Sequence, residues 1–156
     1  MSRRSKPENR EVLPDVRYNN VQVQMFINSV MRNGKKSLAA RLVYDALDLV
    51  EERAKRNGLE VFEQAMKNVS PQMEVKPRRV GGATYQIPME VPTSRRIALA
   101  TRWILQAANA RSGRNFSEKL AGEFMDAANN AGTAIRKRDE THKMAEANRA
   151  FSHYRL

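Results

Sequence analysis

Residues 73–96 read MEVKPRRVGGATYQIPMEVPTSRR, and the way this stretch folds decides what kind of protein the chain makes. Two runs with apolar residues at alternate positions flank Gly81-Gly82, the pattern of a β-hairpin. The apolar odd positions are Met73, Val75 and Pro77 in the first run and Ala83, Tyr85, Ile87 and Met89 in the second. A two-residue Gly81-Gly82 loop would set Val75 against Pro88 and Lys76 against Ile87, which mixes the faces. A three-residue loop over 80–82 pairs Pro77 with Tyr85, Val75 with Ile87 and Met73 with Met89. A side-chain period of two allows no intermediate register, so an odd-length loop or a bulge is expected. Pro77 and Pro88 lack the N–H that a further strand would need. Both strands are therefore edges, and the expectation is a hairpin arm standing off the rest of the chain.

Outward from the arm, the sequence reads helical. Val23, Phe26, Ile27, Val30 and Met31 share one face of a first helix beginning at Val21, and Asn33-Gly34 is a stop. A second helix buries Leu38, Leu42, Val43, Ala46, Leu47, Leu49 and Val50, and Asn57-Gly58 repeats the stop. A third uses Val61, Phe62, Ala65, Met66 and Val69, and Ser70-Pro71 closes it. Past the arm, Pro92 suits the first turn of a fourth helix. Its stripe is Ile97, Ala100, Thr101, Ile104, Leu105 and Ala108, with Leu99 and Trp103 as a second apolar flank. Asn115 and Glu118 have the spacing of a capping box for a fifth helix carrying Phe116, Leu120, Phe124 and Ala128. Gly132 ends it, and a sixth helix runs over about 133–150. Met25, Met31, Met66 and Met125 read as core filler. The fold class is mainly α: a six-helix bundle with one protruding two-stranded antiparallel β-ribbon between helices three and four. One domain spans 1–156, with a basic N-terminal arm (1–19), the hairpin arm (73–91) and a C-terminal tail (150–156).

Charge narrows the partners. The 156 residues carry 28 Lys+Arg against 17 Asp+Glu, a formal net charge of +11. The excess is spread as +2 over 1–20, +2 over 21–72, +3 over 73–96 and +4 over 97–156. Several surfaces of the body, and no single basic tail, should meet a polyanion: nucleic acid first, an anionic membrane surface second. There is no cysteine, hence no disulfide framework or thiolate metal site. No run of about 18 apolar residues could cross a bilayer, and the arginines of MSRRSKPENRE precede no apolar stretch of a secretory signal.

Catalysis finds little footing. His142 and His153 lack metal-ligand spacing, and Asp45, Asp48, Glu51 and Glu52 read as the solvent face of helix two. GKKS (34–37) departs from a phosphate-binding loop at Ser29 and at Lys36, and VGGA has no third glycine. No enzyme, cofactor, metal or small-molecule substrate is expected. Helix starts say more. Lys35-Lys36 open helix two and Arg95-Arg96 fall in the first turn of helix four, where the helix dipole disfavours cations by about 0.3–1 kcal/mol each. The same places suit phosphate. On helix six, Arg138, His142 and Arg149 lie within about 40° of one another, with Ala145 in the stripe and Met144, Ala147 and Phe151 opposite. That stripe is either a solvated face or a basic rail along RNA. RAFSHYR (149–155) sets aromatics beside arginines, with Tyr154 the better candidate for base contact and Phe151 for core. Tyr85 serves either ribbon packing or a base contact.

GKKSLAARLVYDAL, RRVGGATYQIP, RRIALATRWIL and THKMAEANRAFSHYR together resemble small-subunit ribosomal protein seven of the bacterial and organellar type, over nearly the whole chain from about residue 17. The resemblance implies a helical bundle with a protruding ribbon. It also implies a protein of the ribosome, cytoplasmic or organellar, that binds the 3′ domain of small-subunit rRNA early and nucleates the head. Exit-site tRNA, mRNA and small-subunit proteins nine and eleven are the implied neighbours, no membrane is among them, and some members repress their own messenger. On this basis the candidate rRNA contacts are Arg3, Arg4, Lys6, Arg10, Lys35, Lys36, Arg41, Lys76, Arg78, Arg79, Arg95, Arg96, Arg102, Arg111, Arg114 and Lys119. The candidates near tRNA or mRNA are Arg78, Arg79, Gly81, Gly82, Tyr85, Arg138, His142, Lys143, Arg149 and Tyr154. The competing reading is a basic helical DNA-binding or architectural protein.

Overall fold

A computed structural model of the chain describes residues 11–155. Its elements run α1 (Val21–Val30), α2 (Lys36–Ala54), α3 (Gly58–Val69), β1 (Met73–Val80), β2 (Ala83–Glu90), α4 (Thr93–Ala110), α5 (Phe116–Ala128) and α6 (Gly132–Ala147), closed by a 3-10 turn (Arg149–Arg155). This is the expected mainly helical bundle with one antiparallel ribbon between the third and fourth helices.

Helix α5 sits at the centre, packed against α2, α3, α4 and α6. Its alanines and Gly122 keep it slim enough for four neighbours, while Leu120 and Phe124 fill the space between them. Phe124 meets Phe26 and Phe62 at ring-centroid distances of 5.4 Å each, and Phe26 lies 5.6 Å from Phe62. Tilted and edge-on rings at such spacing are the favourable arrangements. Helix α4 is buried on both flanks, with Leu99 and Trp103 on one and Ala100, Ile104 and Ala108 on the other.

Helix ends differ from several expectations. Helix α2 stops at Ala54 on a left-handed Lys55, and Asn57 is no stop; its side chain accepts from Leu59 N–H (2.9 Å) and caps α3. Gly58 lies so close to α2 that a Cβ would stand 2.7 Å from the Leu47 carbonyl, so only glycine fits. Pro92 is the N-cap of α4 and not part of its first turn. Asn115 makes no side-chain cap, so the capping box with Glu118 is not formed. Gly132 opens α6 and does not close α5, and α6 ends at Ala147, short of 150. Met25 and Leu38, read as core, are 41% and 45% exposed.

The ribbon corrects the register. Val75 faces Pro88, Lys76 faces Ile87 and Arg78 faces Tyr85, around a two-residue Gly81-Gly82 loop. Both glycines have positive φ (58° and 89°), the conformation that tight hairpin turns require. Parity did not decide, because burial is graded along the ribbon and not split between its faces. Ile87, Pro88 and Glu74 at the base are buried, whereas Pro77, Arg78, Arg79 and Ala83 toward the tip are exposed. The arm therefore projects only over its outer half. Its base packs on α6 and on the terminal 3-10 turn. Ile87 and Ala145 are buried there, outside the main cluster of the bundle.

Candidate nucleic-acid interface

Helix α4 presents the clearest surface. Arg95, Ala98, Arg102, Gln106 and Asn109 are exposed, and at 100° per residue they fall within about 80° of each other. No acidic residue occurs in the helix. The stripe runs from the ribbon base to the turn between α1 and α2, about 21 Å at 1.5 Å per residue. At the first end, Arg95 Nε donates to both oxygens of Glu74 (2.7 and 3.0 Å), and Lys76 Nζ stands 3.6 Å from the same carboxylate. That pairing raises the Arg95 guanidinium above its ordinary range. At the other end, Asn109 and Lys35 line a groove of about 410 Å³ with Leu38, Leu105 and Phe116. Lys35 is the N-cap of α2 and provides no side-chain cap, so Lys35 and Lys36 stand exposed at an N-terminus where anions are favoured.

The other candidate residues divide sharply. Arg3, Arg4, Lys6 and Arg10 lie outside the described residues, as does the Tyr154 side chain. Arg41, Arg102, Arg114, Lys143 and, on the ribbon, Arg78 and Arg79 are exposed, as are Gly81 and Gly82 at its tip. Lys119 is half-buried. Arg96 Nε donates to the Val91 carbonyl (2.7 Å). Arg111 is turned inward: Nη1 donates to Glu123 and Nη2 to Asp126, both at 2.6 Å. Burial pulls its pKa down, but these two carboxylates outweigh it and hold the guanidinium above its usual range.

Helix α6 reverses the sequence expectation about which side meets solvent. Arg138 is half-buried and donates to the Asn68 carbonyl and to Asp139. His142 Nε2 accepts from Gln72 N–H at 3.0 Å, and Ala145 is buried. The Arg138, His142 and Ala145 part of the stripe read as a possible rail is thus packed on α3 and β1, while Met144 and Ala147 face solvent. Buried polar side chains are tolerated because they bond to backbone groups that need partners. Arg149 is exposed and pairs with Glu146 at 3.3 Å. The cations that α6 does expose are Arg136, Lys137 and Lys143. Tyr85 packs on Phe151, ring centroids 5.2 Å apart.

His142 carries a pH signature. Burial first, and then the Arg138 charge, lower its pKa below 6.5. A group protonated more readily in the unfolded chain contributes stability that is complete above its unfolded pKa and lost as pH falls through the folded value. Protonation also removes the Nε2 acceptor. Exchange of the Gln72 amide, corrected for its intrinsic rate, is expected to accelerate below about pH 6.5. His142→Ala should flatten that dependence; an unchanged profile in the variant would assign the effect elsewhere.

Two features escaped the sequence reading. The exposed stripe of α4 was legible as the complement of its two buried flanks. Glu123, 0% exposed, was not: it also accepts from Ala134 N–H (3.0 Å) and so supplies from α5 the cap that α6 lacks. Among the described residues no group of three or more His, Cys, Asp or Glu is placed to hold a metal ion, and no helix is long and apolar enough to cross a membrane.

The family model described as ribosomal protein S7p/S5e matches residues 2–149. The chain belongs to this family. Small ribosomal subunit protein uS7 of Methylorubrum populi is 59% identical over 155 residues, 99% of each chain. The protein of the same name from Thermosynechococcus vestitus is 60% identical over 155 residues, also 99% of each. That of Chloroflexus aurantiacus is 58% identical over 154 residues, covering 99% of this chain and 98% of its own. The chain is a structural, non-enzymatic constituent of the small ribosomal subunit, and RNA binding and translation are the setting in which its basic surface works.

Proposed function

We propose that this member of the S7p/S5e family is a primary rRNA-binding protein. It binds the 3′ domain of small-subunit rRNA early and nucleates assembly of the subunit head. The observation that carries the reading is the basic track of α4, free of acidic residues, which links the ribbon cations to Lys35 and Lys36. Arg102, Lys35, Lys36, Arg41 and Arg114 are its rRNA contacts, with the arginines of the N-terminal arm. The ribbon tip, with Arg78 and Arg79, and the exposed cations Lys143 and Arg149 lie toward exit-site tRNA and mRNA, and small-subunit proteins nine and eleven are neighbours. Repression of its own messenger would use the same RNA surface.

Phosphate contacts make this testable. Each contributes roughly 0.7–0.9 to the slope of log affinity against log salt, so six or more predict a loss on the order of a thousandfold between 50 and 200 mM salt. Filter binding to an rRNA 3′-domain fragment across potassium concentrations measures it. An affinity that barely moves would sink the reading. Duplex DNA in the same assay addresses the alternative of a DNA-binding protein. Burial of α4 on two flanks argues against that alternative, since the helix has only one narrow face to lay in a groove.

A further inference from the structure

The ribbon has two sets of supports, and they lie at different distances along it. Its base is tied to the bundle by two polar contacts: Gln72 N–H donates to His142 (3.0 Å), and Glu74 binds Arg95 (2.7 Å). Val91 N–H donates to the Gln72 carbonyl (3.0 Å) and closes the two strand ends on each other. Farther out, among the described side chains from Pro77 to Gln86, Tyr85 alone is partly buried. Its support is Phe151 of the terminal 3-10 turn, at 5.2 Å between ring centroids. Among the described residues the 3-10 turn touches β2 and α6 and no other element.

We infer that Phe151 is a positioning residue for the ribbon: through Tyr85 the terminal 3-10 turn sets the angle at which the ribbon leaves the bundle. The mechanical argument is one of leverage. The arm stands clear from about Lys76 to Val80, and five residues at about 3.4 Å each make roughly 17 Å, so a swing of about 10° where it leaves the base carries the tip about 3 Å. A displacement of that size is as long as a charge-assisted hydrogen bond, so an arginine contact made at one angle is broken at the other unless the side chain re-extends. An isolated two-stranded ribbon has little stiffness of its own, and the base contacts act close to the pivot. A prop half-way along the arm resists swing far better. Nucleic acid that engages the chain end and nucleic acid that engages the ribbon tip are then coupled, each favouring the ribbon angle that the other needs, and such coupling is reciprocal. The coupling rests on the proposed RNA-facing role of the ribbon; the positioning itself does not.

The chain has no cysteine, so a pair introduced at Thr84→Cys on the arm and Glu60→Cys on α3 takes spin labels cleanly. The distance distribution between them should be narrow in the otherwise unaltered protein and clearly broader with Phe151→Ala. Phe151→Tyr should restore it. The thermal transition reported by Trp103, the sole tryptophan and a member of the main core, should not move. Affinity for the rRNA fragment, or for a tRNA anticodon stem-loop, should fall by about fivefold or more, the lower bound of ordinary coupling energies. The salt slope should stay the same, because no cation is lost. A distribution that stays narrow in Phe151→Ala overturns the inference. So does a Trp103 transition that falls with the substitution, since Phe151 is then a core residue. Absence of RNA binding by the unaltered protein would instead remove the proposed function, while the distance measurement would still decide the positioning.

Discussion

Replacing Arg111 with alanine is expected to lower the unfolding free energy by about 3 kcal/mol, although the residue sits in a loop that also carries the exposed Arg114. The reason is Glu123. Its carboxylate is fully buried on the central helix, and Arg111 at 2.6 Å is its charge partner. Breaking a buried pair by removing one member typically costs about 3–5 kcal/mol, because the remaining charge is left uncompensated. The lower end applies, since the Arg111 side chain is 32% exposed and Glu123 keeps its bond from Ala134 N–H. Asp126→Asn is the contrast. That carboxylate is 42% exposed, and its loss should cost no more than about 1 kcal/mol. Urea unfolding followed by Trp103 fluorescence measures both. Arg111→Met combined with Glu123→Gln should recover part of the loss, as paired removal of a buried ion pair often does. A cost below about 1 kcal/mol for Arg111→Ala would mean that Glu123 finds water or another donor. RNA affinity per folded molecule should change little, since this guanidinium is committed inward.

Arg111 also shows what sequence reading can and cannot see here. Apolar periodicity located all six helices, because a stripe at helical spacing forms one continuous face only when the backbone is helical. The two buried flanks of α4 followed from the same signal, and its exposed stripe was whatever remained. Polar residues carry no such constraint. Arg111 and Arg102 look alike in the sequence, yet one closes a buried ion pair and the other faces solvent; the difference lies in Glu123, twelve residues on. Helix α6 is the sharper case. Arg138, His142 and Ala145 do share a face, as spacing required, whereas Arg149 falls in the 3-10 turn beyond the end of α6 and is exposed. The ribbon chose that face, because Ala145 is small enough to let a strand approach and His142 offers an acceptor to a backbone N–H that needs one. Spacing fixes which residues stand together and leaves open which neighbour they meet. The hairpin register failed for a related reason. Alternation speaks only where one whole face is buried. On an arm buried at its base and exposed at its tip, the turn preference of two consecutive glycines prevails.

Graded burial leads to the second large effect. Ile87→Ala is expected to remove about 2–5 kcal/mol from the docking of the ribbon base, the ordinary range for emptying a fully buried aliphatic site. Ile87 is 0% exposed, but it lies outside the cluster that holds the three phenylalanines and Trp103. The loss should therefore be local. Amides of β1 and β2 should exchange much faster, while the Trp103 transition shifts little and helical circular dichroism is retained. Excising 77–80 and 83–86, which keeps Gly81-Gly82 and the register, gives the complementary result. Those positions are exposed apart from Tyr85 and the undescribed side chain of Val80, so the base should stay docked. Arg78 and Arg79 leave with the tip, and the salt slope of RNA binding should drop by up to roughly 1.4–1.8 if both meet phosphate. The two variants thus separate docking of the base from contact at the tip: one keeps every cation and loosens the base, the other keeps the base and removes Arg78 and Arg79 together with Tyr85. If Ile87→Ala lowers the Trp103 transition by as much as it weakens the ribbon, base and bundle unfold as one unit. The arm would then be an extension of the main core and not a lever mounted on it.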